Sequence, residues 1–126
     1  LPISETLLGL LPAFWPPVFE NDEHWNLLKN NCKYEFRNYP YEFHNGGSWS
    51  MVNGFFGLAL LSKSENEAVE DVLEKINHAN AINEYSFYEN FNKQTQEPNG
   101  VAYCAWSAAA GILLQQSLTT NFKIVF

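Results

Sequence analysis

Three stretches of apolar sequence, different in kind and fixed in order, constrain this chain more than anything else in it. From Trp49 to Ser62 a helical axis would carry apolar residues on every side: Trp49, Met51, Val52, Phe55, Phe56, Leu58, Ala59, Leu60 and Leu61. A helix that is apolar all round is expected to be buried on more than one side. The pattern then changes. Ser64 and Glu67 have the S-x-x-E spacing of a capping box, which opens a second helix. Val69, Val72, Leu73 and Ile76 follow at i, i+3, i+4 and i+7, with Glu65, Glu70, Asp71, Glu74 and Lys75 on the opposite face. That helix has one dry and one wet side. A third helix is expected from about Tyr103 to Leu118, where Ala105, Trp106, Ala108, Ala109, Ala110, Ile112, Leu113 and Leu114 again surround the axis. Buried, half-buried, buried is the order that concentric helical layers require. Inner helices touch an outer ring and a central funnel, while outer helices face water. The expected fold class is therefore all-α, built from helical hairpins.

The segments between these helices are polar and aromatic. Lys33 to Gly47 reads KYEFRNYPYEFHNGG and Asn80 to Gly100 reads as a long loop, a length that in a compact domain is often functional. Both lead into inner-type helices, so both are expected at the same end of the layers. Upstream, Ile3 to Leu11 suggests the end of an apolar helix stopped by Pro12, and Pro16 and Pro17 forbid helix nearby. Asn21 or Asp22 can cap a short helix reaching about Asn31, with Trp25, Leu27 and Leu28 as its apolar side. Ser48 is the expected cap of the helix that starts at Trp49, and Phe122 to Phe126 is a short apolar tail.

Charge and spacing exclude several function classes. Seven basic and 14 acidic residues leave a formal charge of −7, so a basic footprint for nucleic acid is lacking and an anionic membrane surface would repel the chain. No apolar run reaches the ~20 residues needed to span a bilayer. Cys32 and Cys104 have no metal-ligand spacing; a disulfide between them is open, with two free buried thiols the favoured reading. His24, His44 and His78 form no zinc motif, and neither a nucleotide loop nor a calcium-binding run is present, so no cofactor is expected. The chain begins without Met and without a basic n-region, and it has no N-x-S/T sequon. It is read as one domain, 1–126, in a fragment, processed or trimmed form, with a cytoplasmic location.

Two constellations carry candidate chemistry. In Tyr41-Glu42-Phe43-His44-Asn45-Gly46-Gly47-Ser48-Trp49 the paired glycines allow a tight turn before the helix, and His44 and Asn45 offer polar groups beside its N-terminus. This reads either as a hydroxyl-binding corner or as a glycine turn with a histidine serving local backbone. In Phe87-Tyr88-Glu89-Asn90-Phe91-Asn92, Glu89 stands among aromatic residues, and Pro98-Asn99-Gly100 and Trp106-Ser107 follow. Carboxylates are seldom buried without a partner or a purpose. Glu89 reads either as a loop glutamate bound to backbone or as a base that takes a proton from water. With an aromatic fraction of 16%, the chain also has faces that either pack a core or stack on sugar rings.

YEFHNGGSW resembles the Y-x-(Y/F)-H-N-G-G-S-W segment of the neutral/alkaline invertases. YENFNKQTQEPNGVAYCAWSAAAGILL resembles their C-terminal segment, and also the Y-E-N-Y-N-P-x-T-G … F-x-W-S-A-A ending of processing-type α-glucosidases and the similar ending of glycogen-debranching-type glucosidases. The resemblance runs from roughly Asn38 to Leu118. It departs at Ser50, where many relatives have proline, and at Gln96, where the turn glycine is usual; Asn92 favours the glucosidase-like ending. These families share the (α/α)6 toroid of six-hairpin glycosidases. The resemblance implies the C-terminal part of such a barrel and an inverting glycoside hydrolase acting on an α-glucoside or sucrose-like substrate. It implies Glu89 as general base, with His44, Asn45, Trp49, Tyr88 and Trp106 shaping the sugar site. Inverting hydrolysis needs an acid and a base ~6.5–9.5 Å apart. Of the two aspartates, neither Asp22 nor Asp71 has the surroundings of that acid, so this chain alone is expected to be inactive. Its all-round apolar helices are expected to be covered by the rest of the barrel or by a homo-oligomer. The competing readings are a non-catalytic carbohydrate-binding or interaction module, and an unrelated helical domain.

Overall fold

The computed structural model describes residues 9–31 and 34–120. Among them run a short helix α1 (Trp25–Asn30), three longer helices α2 (Ser50–Ser62), α3 (Asn66–Tyr85) and α4 (Ala105–Thr119), and a two-residue antiparallel pair, β1 (Asn90–Phe91) and β2 (Pro98–Asn99). The fold is thus largely helical, with one minimal hairpin beside the helices. The expected helix at Ile3 to Leu11, the tail at Phe122 to Phe126 and the state of Cys32 lie mostly or wholly outside the described residues.

α2 and α4 run parallel and pack through small residues. A methyl group at Gly54 would meet Ala110 Cβ at 3.0 Å, and one at Gly57 would meet the Leu114 methyls at 2.7 Å. The matched positions rise together along both helices, which defines the parallel sense. Missing side chains let the two backbones approach closely, at a cost in helix propensity that the contact offsets. α3 lies antiparallel to both. Asn80, near its C-terminal end, accepts a hydrogen bond from Ser50 Oγ at the start of α2 (3.2 Å) and donates through Nδ2 to the Ser107 carbonyl at the start of α4 (2.8 Å). One turn or so further along α4, Gly111 faces Ile76 and Asn77. Val69, Val72, Leu73, Ile76 and Ala79 of α3 join Leu58, Ala110 and Leu114 in the buried core, together with Leu10 and Phe91. The apolar face predicted for α3 is therefore the face that packs.

The helix ends depart from expectation for local reasons. Ser64 forms no capping box: α3 begins after Glu65, and no side chain caps it. Ser64 has φ +64° and ends α2 instead. Its N–H donates to Leu61 and the Glu65 N–H to Leu60, the paired closure of a Schellman turn. Ser48 likewise does not cap α2. The cap position is Trp49, and Ser48 exchanges two backbone hydrogen bonds, both 2.9 Å, with Phe91. The loop expected from Asn80 starts later. Asn80 and Ala81 are helical, and only from Ile82 do the dihedrals leave the helix, with Asn83, Glu84 and Tyr85 left-handed.

Within the described residues α2 and α4 each pack on two neighbouring helices and are not buried all round. The fully buried residues of each are mostly small or polar: Ser50, Asn53, Gly54, Gly57 and Leu58 on α2, and Ser107, Ala110, Gly111, Leu114 and Ser117 on α4. Phe56, Leu60, Leu61, Leu113 and Leu118 pack partly against the core, while Phe55, Trp106 and Ile112 are exposed. Phe55 is 59% exposed and Ile112 64%. Met51, Phe55, Trp106, Ala109 and Leu113 line a groove of ≈ 570 Å³ between the two helices. Among the described residues no helix is long and apolar enough to cross a membrane.

Candidate functional site

The two motif segments meet at the N-terminal ends of α2 and α4. The first segment, 41–49, turns sharply back on itself. Tyr41 donates its N–H to Asn45 (2.8 Å) and Gly47 to Phe43 (2.9 Å). Gly46 has φ +102°, and a Cβ at Gly47 would lie 2.6 Å from both the nitrogen and the oxygen of Phe43, so only glycine fits there. The second segment, 87–104, reaches the first through the Ser48–Phe91 bridge and through the Phe43 N–H, which donates to Asn90 Oδ1 (3.3 Å). Lys93 donates its N–H to the Tyr41 carbonyl (2.9 Å), and Asn92 Nδ2 donates to Glu42 Oε1 (3.2 Å). The candidates from the two motifs thus stand on loops tied to one another over 41–48 and 90–93.

Glu89 is half-buried at the mouth of the small hairpin. Its N–H donates to the Val101 carbonyl (2.9 Å), and its Oε2 accepts the Val101 N–H (3.2 Å). Gly100, at φ +76°, makes room: a Cβ there would collide with the Glu89 carboxylate. Among the described residues Oε1 accepts no hydrogen bond. One oxygen is anchored and the other is open, an arrangement that suits a group accepting a proton from water. Behind it, Ser107 Oγ donates to the Tyr88 carbonyl (2.8 Å) and the Cys104 N–H to the Phe87 carbonyl (2.9 Å), which fasten the loop to the first turn of α4.

The other expected site residues have distinct environments. The His44 ring is exposed and stacks on Trp49, with centroids 4.9 Å and planes 11° apart. Trp49 itself is 5% exposed and donates Nε1–H to the Phe43 carbonyl (3.0 Å). His44 therefore presents the surface and Trp49 supports it from below. Asn45 is buried and holds the N-terminal segment: Val18 N–H donates to its Oδ1 (2.7 Å), and its Nδ2 donates to the carbonyls of Val18 (2.8 Å) and Asn38 (3.0 Å). Both of its donor hydrogens are used within the chain, which leaves none for a sugar hydroxyl. Tyr88 is half-buried, packs edge-on against Phe91 and accepts Asn83 Nδ2 at its hydroxyl (3.0 Å). Trp106 is 46% exposed at the groove end nearest the loop of Glu89, where Tyr103 and Val101 are also exposed.

Sequence reasoning passed over several residues that hold this arrangement. Asn90 is fully buried and fixes the first motif through Phe43; Asn80 joins the three long helices; Lys93 is buried and donates Nζ to the Leu10 carbonyl (2.6 Å). Burial, and after it the charge of Lys75, lowers the Lys93 pKa. The asparagines carried a signal, since polar amides this dense around two aromatic motifs are suited to pairing with irregular backbone. Cys104 is a buried thiol, pushed up in pKa by burial and then by the Glu89 charge, against hydrogen bonds with Ser107 that lower it. Burial and the Glu89 charge both favour its thiol form over the reactive thiolate. Asp22 accepts the Phe19 N–H (2.6 Å) and Asp71 pairs with Lys75, so both aspartates serve local structure. Among the described residues no group of three or more His, Cys, Asp or Glu is placed to hold a metal ion. Compared with known proteins, the chain matches no family model, and no curated protein matches it.

Proposed function

We propose that this chain is part of the catalytic (α/α)6 barrel of an inverting glycoside hydrolase, with Glu89 as the general base. The observation that carries the reading is the junction of the two motif loops through Ser48 and Phe91, at the shared N-terminal end of the parallel helices α2 and α4. In a helical toroid the inner helices run parallel and the outer ones antiparallel, and α3 has the outer sense. The half-anchored carboxylate of Glu89 activates the hydrolytic water through Oε1. His44, supported by Trp49, and the exposed face of Trp106 contact the sugar, while Tyr88 walls the loop. The substrate class is an α-glucoside or a sucrose-like glycoside. The acid that completes the pair comes from outside the described residues, because both aspartates are engaged elsewhere.

That same engagement favours a second reading, a non-catalytic carbohydrate-binding module of the same helical fold. Hydrolysis of sucrose, maltose, trehalose and nitrophenyl glycosides by the native polypeptide separates the two. Activity that Glu89→Gln reduces by about 10²–10⁴-fold, the range expected for a lost general base, supports the hydrolase. Sugar binding with no turnover supports the module, and neither binding nor turnover removes both.

A further inference from the structure

We propose that one buried water molecule bridges the side chains of Asn90 and Asn99 across the small hairpin that carries Glu89. The two residues are register partners, Asn90 on β1 and Asn99 on β2. Directly opposed residues of an antiparallel pair place their Cβ atoms about 4.5–5.5 Å apart, so a single oxygen can reach both side chains. Both Nδ2 groups are buried, and among the described residues they donate to nothing. The Asn90 amide cannot turn over to help, because its Oδ1 already accepts the Phe43 N–H, and a flip would set two donors against each other.

The chemistry of the occupant follows from what surrounds it. Two donors call for an acceptor, and a water oxygen accepts two hydrogen bonds. Polar buried sites of this kind hold ordered water that makes about three hydrogen bonds. An anion is disfavoured because the Glu89 carboxylate rests against Gly100, next to Asn99, and the chain carries a net −7. A substrate hydroxyl cannot serve, since Asn90 has no exposed surface. The water completes a chain of contacts from Phe43 through Asn90 to Asn99, and so joins the His44 turn to the hairpin that positions Glu89. This inference rests on the hairpin alone and stands whether or not Glu89 acts on a sugar.

A crystal structure of the protein at a resolution that places solvent is the first test. The expected result is a water oxygen about 2.7–3.2 Å from both Nδ2 atoms. A direct bond between the two amides, or either Nδ2 turned onto the Glu89 carboxylate, or a dry gap between them, overturns the proposal. Chemical denaturation of Asn90→Ala, Asn99→Ala and the double variant is the second test. If the two share one water, the double variant unfolds close to the midpoint of the weaker single variant. Losses that simply add overturn the shared site. Neither experiment reads hydrolysis, so its failure is distinct from failure of the glycosidase reading.

Discussion

Glu89 is positioned by what is missing at Gly100. The glycine has φ +76° and its absent side chain is where the carboxylate sits. Gly100→Ala meets both problems together, a left-handed backbone and a collision, and is expected to cost about 1–3 kcal/mol. Urea denaturation checks the stability. If Glu89 is the base, the same variant loses turnover as well, because the carboxylate must swing off Val101. Cys104 reports on the same charge. Its thiol pKa is raised by burial and by Glu89, so with Cys32 replaced by serine the folded protein is expected to react slowly with a thiol reagent near neutral pH. Removing the negative charge with Glu89→Gln lowers the thiol pKa, and the rate-against-pH curve is expected to shift to lower pH. An unchanged curve would separate the two groups. At this scale the motifs were legible, because glycine pairs and an isolated carboxylate among aromatics are unusual. The division of labour was not. His44 is the exposed ring and Asn45 is buried scaffold, although they are neighbours in sequence, since a turn sends adjacent side chains in different directions.

The helices owe their arrangement to small and polar residues as much as to large apolar ones. α2 and α4 touch through Gly54, Gly57 and Ala110, and Asn80 ties both to α3. Asn80→Ala leaves the Ser107 carbonyl and the Ser50 hydroxyl buried without that partner. It is expected to destabilise the protein by about 1–3 kcal/mol, read as a lower denaturation midpoint with an unchanged slope. A loss much smaller than this would mean that the three helices do not depend on the bridge. The spans of α2 and α4 and the dry face of α3 were readable from periodicity, whereas α1 starts only at Trp25, without a cap from Asn21 or Asp22, and buries Trp25 but leaves Leu27 exposed. The ends were not: Ser64 and Ser48 fit capping rules, but Ser64 was taken by the closing turn of α2 and Ser48 by pairing with Phe91. Capping residues satisfy whichever backbone groups tertiary structure leaves open, and a sequence pattern does not reveal which these are.

Across the whole molecule, the apolar groove between α2 and α4 is the largest consequence of the packing. Met51, Phe55, Trp106 and Leu113 line it without a charged neighbour. Contiguous apolar surface of this kind drives association. The isolated chain is expected to associate as its concentration rises and to bind a hydrophobic dye, and Phe55→Glu with Ile112→Glu is expected to suppress both. Sedimentation over a range of concentrations checks it, and a monomer at every concentration would show the groove to be tolerated in water. The sequence by itself determined that the chain forms helices, that α3 has one wet side, and that two aromatic, glycine-bearing segments precede the first and last of the three long helices. These follow from periodicity and local backbone needs, which are properties of neighbours in the chain. Only the tertiary structure decided that α2 and α4 run parallel with their small residues in contact, that the two motifs meet at one end through Ser48 and Phe91, and that Phe55, Trp106 and Ile112 are left exposed. Composition gives a helix its apolar character, but which side is buried depends on the partner that comes close enough to pack, and close approach selected glycine and alanine over phenylalanine.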